Sequence, residues 1–209
     1  MQNQFADLFT SRELLTLTSI VQVGDATYRE LMETQQPMFG HPYFTSIRGR
    51  IRTKLVQMQC EIESHDSKFP FEFVQREFRY KHLIPELRNK NTILHIARSA
   101  SPEMLSYASK YKIKLSNNNH VLQRQMVIDL EQTPPYGDEP YYGILTFGGR
   151  NQTFAVIQFP EPGYEGIAEQ LFLPQVSSAE ASENAHTFER KKAALKKEFL
   201  AHGMEEVVS

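Results

Sequence analysis

Two short runs constrain this chain most: YYGILTF at 141–147 and TFAVIQF at 153–159. Both are apolar at nearly every position. A strand of that composition is stable only when both of its faces are covered. The linker GGRNQ begins with Gly148-Gly149, which supply the positive φ that a tight reversal needs. The two runs therefore predict a buried antiparallel hairpin with further elements packed around it.

Those elements can be read on either side. FEFVQREF at 71–78 alternates and is aromatic, as a strand would be. HLIPEL and TILHIAR flank RNKN at 88–91, a second hairpin. QRQMVIDL at 123–130 reads as another strand, and PEPGYEG at 160–166 ends the strand before it. Helices dominate the start. SRELLTLTSIVQV is expected to begin at Ser11 and to break at Gly24-Asp25, with Asp25 capping ATYRELMETQ. From Phe44 to Glu63, the residues Phe44, Ile47, Ile51, Leu55, Met58 and Ile62 fall within an arc of about 80° on a helical wheel. Ser101-Pro102-Glu103 has the form of a helix start, and SNNN at 116–119 that of a turn. Helices first, strands in the middle and a helix last give an α+β fold. N-terminal helices are expected to pack on a central, largely antiparallel sheet, with a charged C-terminal helix. The expected organisation is one α+β domain over 1–175, helical over about 1–64 and sheet-rich over about 70–175, then a linker and C-terminal helix over 176–209.

Composition limits the function. A chain of 209 residues with 40% hydrophobic content can bury a core without staples. Cys60 is the only cysteine, which excludes an intrachain disulfide and a cysteine-rich zinc site. The N-terminus lacks the pattern of a signal peptide, and no stretch reaches the 18 or so apolar residues of a membrane span. The expectation is a cytoplasmic protein with no membrane association. Charge is uneven: residues 48–98 hold eleven Lys/Arg against six Asp/Glu, and residues 129–169 hold one against seven. Such fields steer partners and favour association between copies.

Four groups of residues are candidates for chemistry. The first is basic: Arg48, Arg50, Arg52 and Lys54, joined by Arg76, Arg79 and Lys81. On the helix these cations border the apolar stripe. They read either as solvated or ion-paired flanks or as a rim for a polyanion such as nucleic acid. The second is Arg88 followed by Asn89, with His95 six residues beyond that. This spacing resembles the Arg-x4-6-His motif of HEPN-type ribonucleases. The resemblance implies a helical bundle in which Arg88 and His95 face a dimer cleft and cleave RNA through the ribose 2′-hydroxyl without metal. His would act as acid or base, and Arg would stabilise the transition state. A partly buried structural histidine is the other reading. The third is Glu86-Leu87-Arg88 with Asp66 or Glu72 upstream, which resembles the Asp…Glu-x-Lys pattern of restriction-type nucleases and would imply Mg²⁺. Arg in place of Lys departs from it. The Gly148-Gly149-Arg150 tip reads as a hairpin loop or a phosphate cradle. No zinc-type histidine pair occurs.

No nucleophile with a base beside it can be read from the sequence. The expected function is an intracellular interaction or regulatory protein without a cofactor that binds a protein or nucleic-acid partner, with self-association into a homo-oligomer left open by the charge layout. The alternative is a ribonuclease using Arg88 and His95, or another phosphodiester-cleaving nuclease.

Overall fold

In the computed structural model, α1 runs without interruption from Ser11 to Thr34. Residues 6–35, 41–78, 82–122, 139–149, 153–174 and 185–203 are described by the structure. Contacts group the chain into a helical unit, residues 9–75 and 173–209, and a sheet unit, residues 1–8 and 76–172.

In the helical unit, Thr10 rather than Ser11 caps α1. Its hydroxyl accepts from the Glu13 amide, and the Glu13 carboxylate accepts from the Thr10 amide at 2.6 Å. The break expected at Gly24-Asp25 does not occur. Gly24 lowers helix propensity, but a Cβ there would lie 2.7 Å from Val56 Cγ2 and 2.8 Å from Val56 Cα. Glycine is present because a second helix crosses at that point. Asp25 caps nothing: it lies mid-helix, buried, and takes Arg29 and Arg52 as partners.

The crossing helix, α3 (Arg48–Ser64), follows a one-turn α2 (Pro42–Thr45) that carries Phe44. Its stripe is as expected from the spacing. Ile51, Leu55 and Met58 are buried with Val23 and Leu31 of α1, and Phe44, Ile47 and Ile62 pack at the edge. Leu195 and Phe199 complete this core. They come from α5 (Ala185–Glu198), which closes in a π-helical turn, Phe199–Gly203. The C-terminal helix is thus docked, with Lys191 on Glu63 at 2.5 Å and Lys196 on Glu30 at 2.7 Å.

The sheet has six strands in sequence order. They are β1 (Glu72–Phe78), β2 (His82–Arg88), β3 (Thr92–Ser99), β4 (Tyr141–Gly148), β5 (Phe154–Pro160) and β6 (Ile167–Phe172). β2–β3, β4–β5 and β5–β6 are antiparallel, whereas β3–β4 is parallel. The α+β class holds, and the helices precede a mostly antiparallel sheet. β4 and β5 are buried along most of their length, as their continuous apolar runs require. Gly149 has φ 93°, the left-handed backbone expected at that turn. β6 has no clear sequence signal: IAEQLF is half polar and half-buried.

The helix expected from Ser101 does not form there. Residues 101–109 are irregular, and α4 (Lys110–Ser116) starts from a Ser109 cap. Side chains of the sheet take the carbonyls that such a helix would have used. Gln158 donates to Pro102 O at 2.6 Å and Met104 O at 3.2 Å, and Gln170 to Pro102 O at 2.5 Å. SNNN continues α4 as a 3-10 helix, Asn117–Leu122, instead of forming a turn. Buried Asn119 donates to the carbonyls of Tyr142 and Pro160 and accepts from the Tyr142 amide, joining β4 to β5. The strand expected at QRQMVIDL lies outside the described residues. No described helix is long and apolar enough to cross a membrane.

Candidate functional site

The β2–β3 hairpin is fixed by its turn. Asn89 Oδ1 accepts from the Asn91 amide at 2.9 Å and from the Thr92 amide at 2.7 Å. Asn favours such turns because its side chain bonds the main chain two and three residues on. The resulting register sets Glu86 directly opposite His95. Arg88, two residues after Glu86, projects from the same face of the strand.

Glu86 is fully buried. Its Oε1 accepts from Arg76 Nε at 2.7 Å, from the Tyr111 hydroxyl at 2.7 Å and from His95 Nε2 at 3.3 Å. Its Oε2 accepts from the Arg88 guanidinium at 2.7 and 3.2 Å. Burial alone would raise the Glu86 pKa. The donors from His95, Tyr111, Arg88 and Arg76 outweigh it and hold the carboxyl well below its usual range. The His95 pKa is lowered as well, by burial, against the pull of Glu86, so the imidazole is neutral at pH 7. A carboxylate only accepts, so Nε2 carries the proton and Nδ1 accepts from the Tyr142 hydroxyl at 2.9 Å. Tyr111 is pushed up to about 12, by burial first and by Glu86 second. It stacks on His95, and the Arg76 guanidinium lies 5.6 Å from its ring centre.

The chemistry open to this cluster follows from its saturation. Glu86 has a donor on every side and cannot take up a proton or a metal without releasing an arginine. Both ring nitrogens of His95 are engaged. The two arginines, by contrast, stay 43% and 28% exposed while Glu86 fixes them. The result is a pair of oriented guanidinium groups at a protein surface, a geometry suited to phosphate or carboxylate oxygens. Nearby in the chain, α4 carries exposed Lys110 and Lys114, and Tyr107 just before it is 93% exposed.

The candidates from sequence are placed as follows. Arg88 and His95 do meet, through Glu86. They meet across two antiparallel strands, so the helix and all-helical bundle implied by the HEPN resemblance are absent here. Strand register, not helical spacing, brings them together. Glu86 of the Glu-x-Arg pattern is engaged by Arg, His and Tyr donors. Among the described residues, no group of three or more His, Cys, Asp or Glu could hold a metal ion. The basic set divides. Arg48, Arg50, Arg52 and Lys54 belong to α3 of the helical unit, with Arg50 exposed and Arg52 buried on Asp25. Arg76 belongs to the sheet unit and serves Glu86, while Arg79 and Lys81 lie outside the described residues. Arg150 of the Gly-Gly tip does as well. Cys60 is buried, and burial pushes its thiol up, away from nucleophilic use.

Sequence reasoning missed Glu86 as the centre of the cluster, and it missed Tyr111 and Tyr142. The period of two in Glu86-x-Arg88 was a usable signal for that pair. Nothing local ties either tyrosine to the hairpin. Elsewhere, a groove of about 470 Å³ between α1 and α5 is lined by Glu30, Lys192, Lys196 and Leu200 and shares no residue with the cluster.

The chain matches no family model, no curated protein and no solved structure.

Proposed function

We propose that this protein is a cytoplasmic interaction protein that binds single-stranded nucleic acid, using the Glu86-held pair Arg76 and Arg88 as its phosphate contact. One observation carries this reading: two partly exposed guanidiniums are held by one buried carboxylate. Exposed Tyr107, Lys110 and Lys114 lie on the segment that carries Tyr111 to Glu86, and are of the aromatic and basic types that a sequence-tolerant single-strand site uses. Cleavage of the bound strand is not part of this reading, because His95 of the cluster is buried with both nitrogens engaged.

Fluorescence anisotropy with short single-stranded RNA and DNA tests it. Binding should weaken steeply with salt, with a log–log slope of about −0.7 per phosphate contacted. The Arg76→Met/Arg88→Met variant should bind at least about tenfold more weakly, with a shallower slope. Binding indifferent to salt, or unchanged in the variant, would overturn the proposal. Shortening of the RNA by wild-type but not by His95→Gln protein would favour the ribonuclease instead.

A further inference from the structure

A second polar cluster in the sheet unit has a different character. Lys112 Nζ lies 2.8 Å from Ser106 Oγ and 2.9 Å from the Tyr107 carbonyl oxygen. The Tyr164 hydroxyl donates to the Ser106 carbonyl at 2.9 Å and stands 3.0 Å from Ser106 Oγ. Tyr164 reaches that position from a strained backbone. It is the only described non-glycine residue with positive φ, at 66°, which a bulky side chain rarely adopts. Strain of this kind collects where a side chain must be held in one place. Ser106 is buried, yet Met104 and Tyr107 on either side are exposed.

We infer that Ser106 and Lys112 form a nucleophile–base pair that accepts an acyl group from a small ester. The geometry meets the general requirement: nucleophile and base are within hydrogen-bond reach, and a third group, here the Tyr107 carbonyl, orients the base. Ser106 Oγ attacks the ester carbonyl carbon, and its proton passes to Lys112 Nζ. Lys112 returns that proton to the leaving alcohol as the C–O bond breaks. Water then attacks the acyl carbon and gives a proton to Lys112; the bond from that carbon to Ser106 Oγ breaks, Lys112 returns the proton to Oγ, and the carboxylic acid leaves.

The surroundings suit Lys112 to this task. Burial lowers its amine to about 8, so a usable fraction is neutral near physiological pH. Among the described residues no carboxylate pairs with it. Facing it are the Tyr164 ring at 6.0 Å and the neutral His95, with Tyr111, Lys110 and Lys114 on its own helix. This inference does not depend on nucleic-acid binding at Arg76 and Arg88.

The test is covalent labelling with a fluorophosphonate. Serine oxygen bonds to phosphorus, fluoride leaves, and the proton goes to Lys112 and then to solvent. Intact mass and peptide mapping should show one adduct, on Ser106, forming faster as pH rises through about 8. Ser106→Ala should abolish it. Lys112→Arg keeps the charge and the donors but cannot accept a proton, so it should label at least about tenfold more slowly. Circular dichroism confirms that each variant is folded. Absence of an adduct on folded wild-type protein one unit above that midpoint would overturn the inference. So would an equal rate in Lys112→Arg, or adducts scattered over exposed serines.

Discussion

Asp25 and Glu86 are both buried carboxylates that bind arginines; each holds a partly exposed one, but only Asp25 of the two also buries one. In the helical unit, Asp25 draws Arg52 inward until that side chain is 8% exposed, beneath the Tyr28 ring at 5.7 Å. In the sheet unit, Glu86 holds Arg76 and Arg88 by their inner edges and leaves their outer edges to water. The first arrangement fastens α3 to α1. The second presents charge. A buried carboxylate–arginine pair therefore does not define its own purpose; the exposure of the arginine does.

The comparison can be broken by removing one arginine from each centre. Arg52→Met removes the buried guanidinium from buried Asp25, and should destabilise the protein by about 3–5 kcal/mol. Urea denaturation followed by circular dichroism reads this directly. Nucleic-acid affinity should be unchanged at a denaturant-free temperature where the variant is folded. Gly24→Ala probes the same helix crossing without touching charge. Its new methyl meets the backbone of Val56, and the expected loss is about 1–3 kcal/mol. If either variant proves neutral, the α1–α3 contact is not the fastening described.

Arg88→Met should show the reverse pattern. Glu86 keeps Arg76, Tyr111 and His95, so stability should fall by only about 1 kcal/mol. Affinity for single strands should drop by about tenfold. A stability loss as large as that of Arg52→Met would erase the distinction between the two centres.

The last comparison is in pH. Glu86 binds its proton less readily when folded than when unfolded. Its contribution is complete above the ordinary 4.5 and is lost as pH falls toward the lowered folded value. His95 follows the same sign. Its folded pKa lies below 6.5, so its neutral burial contributes fully above 6.5 and is lost as pH falls below it. Urea midpoints measured across these two windows should decline toward acid in wild-type protein. The upper decline should be absent in His95→Gln. If it persists there, another group titrates in that window.

The stripe from Phe44 to Ile62 and the two apolar runs at 141–159 were legible because each rests on local periodicity. A helix or strand must bury one face, and the spacing of apolar residues records which. Gly24 shows the limit of that logic. Glycine mid-helix reads as a break, yet the contact that requires it comes from Val56, 32 residues away. The helix expected at 101 failed for a similar reason, since Gln158 and Gln170 reached its carbonyls first.

The candidate sites were less legible than the core. Arg88 and His95 were visible as residue types, and their spacing suggested a helix face. Antiparallel register brought them together around Glu86 instead. Tyr111, Tyr142, Ser106, Lys112 and Tyr164 leave no mark as a group, because their meeting depends on how 101–116 lies over β4 and on the turn after β5. By itself the sequence determined the class of the fold, the apolar stripe that α3 buries and the hairpin of β4 and β5. The tertiary structure alone decided which charges are spent on packing and which face solvent. Hydrophobic burial is written in short-range patterns, whereas the pairing of polar side chains is a long-range event.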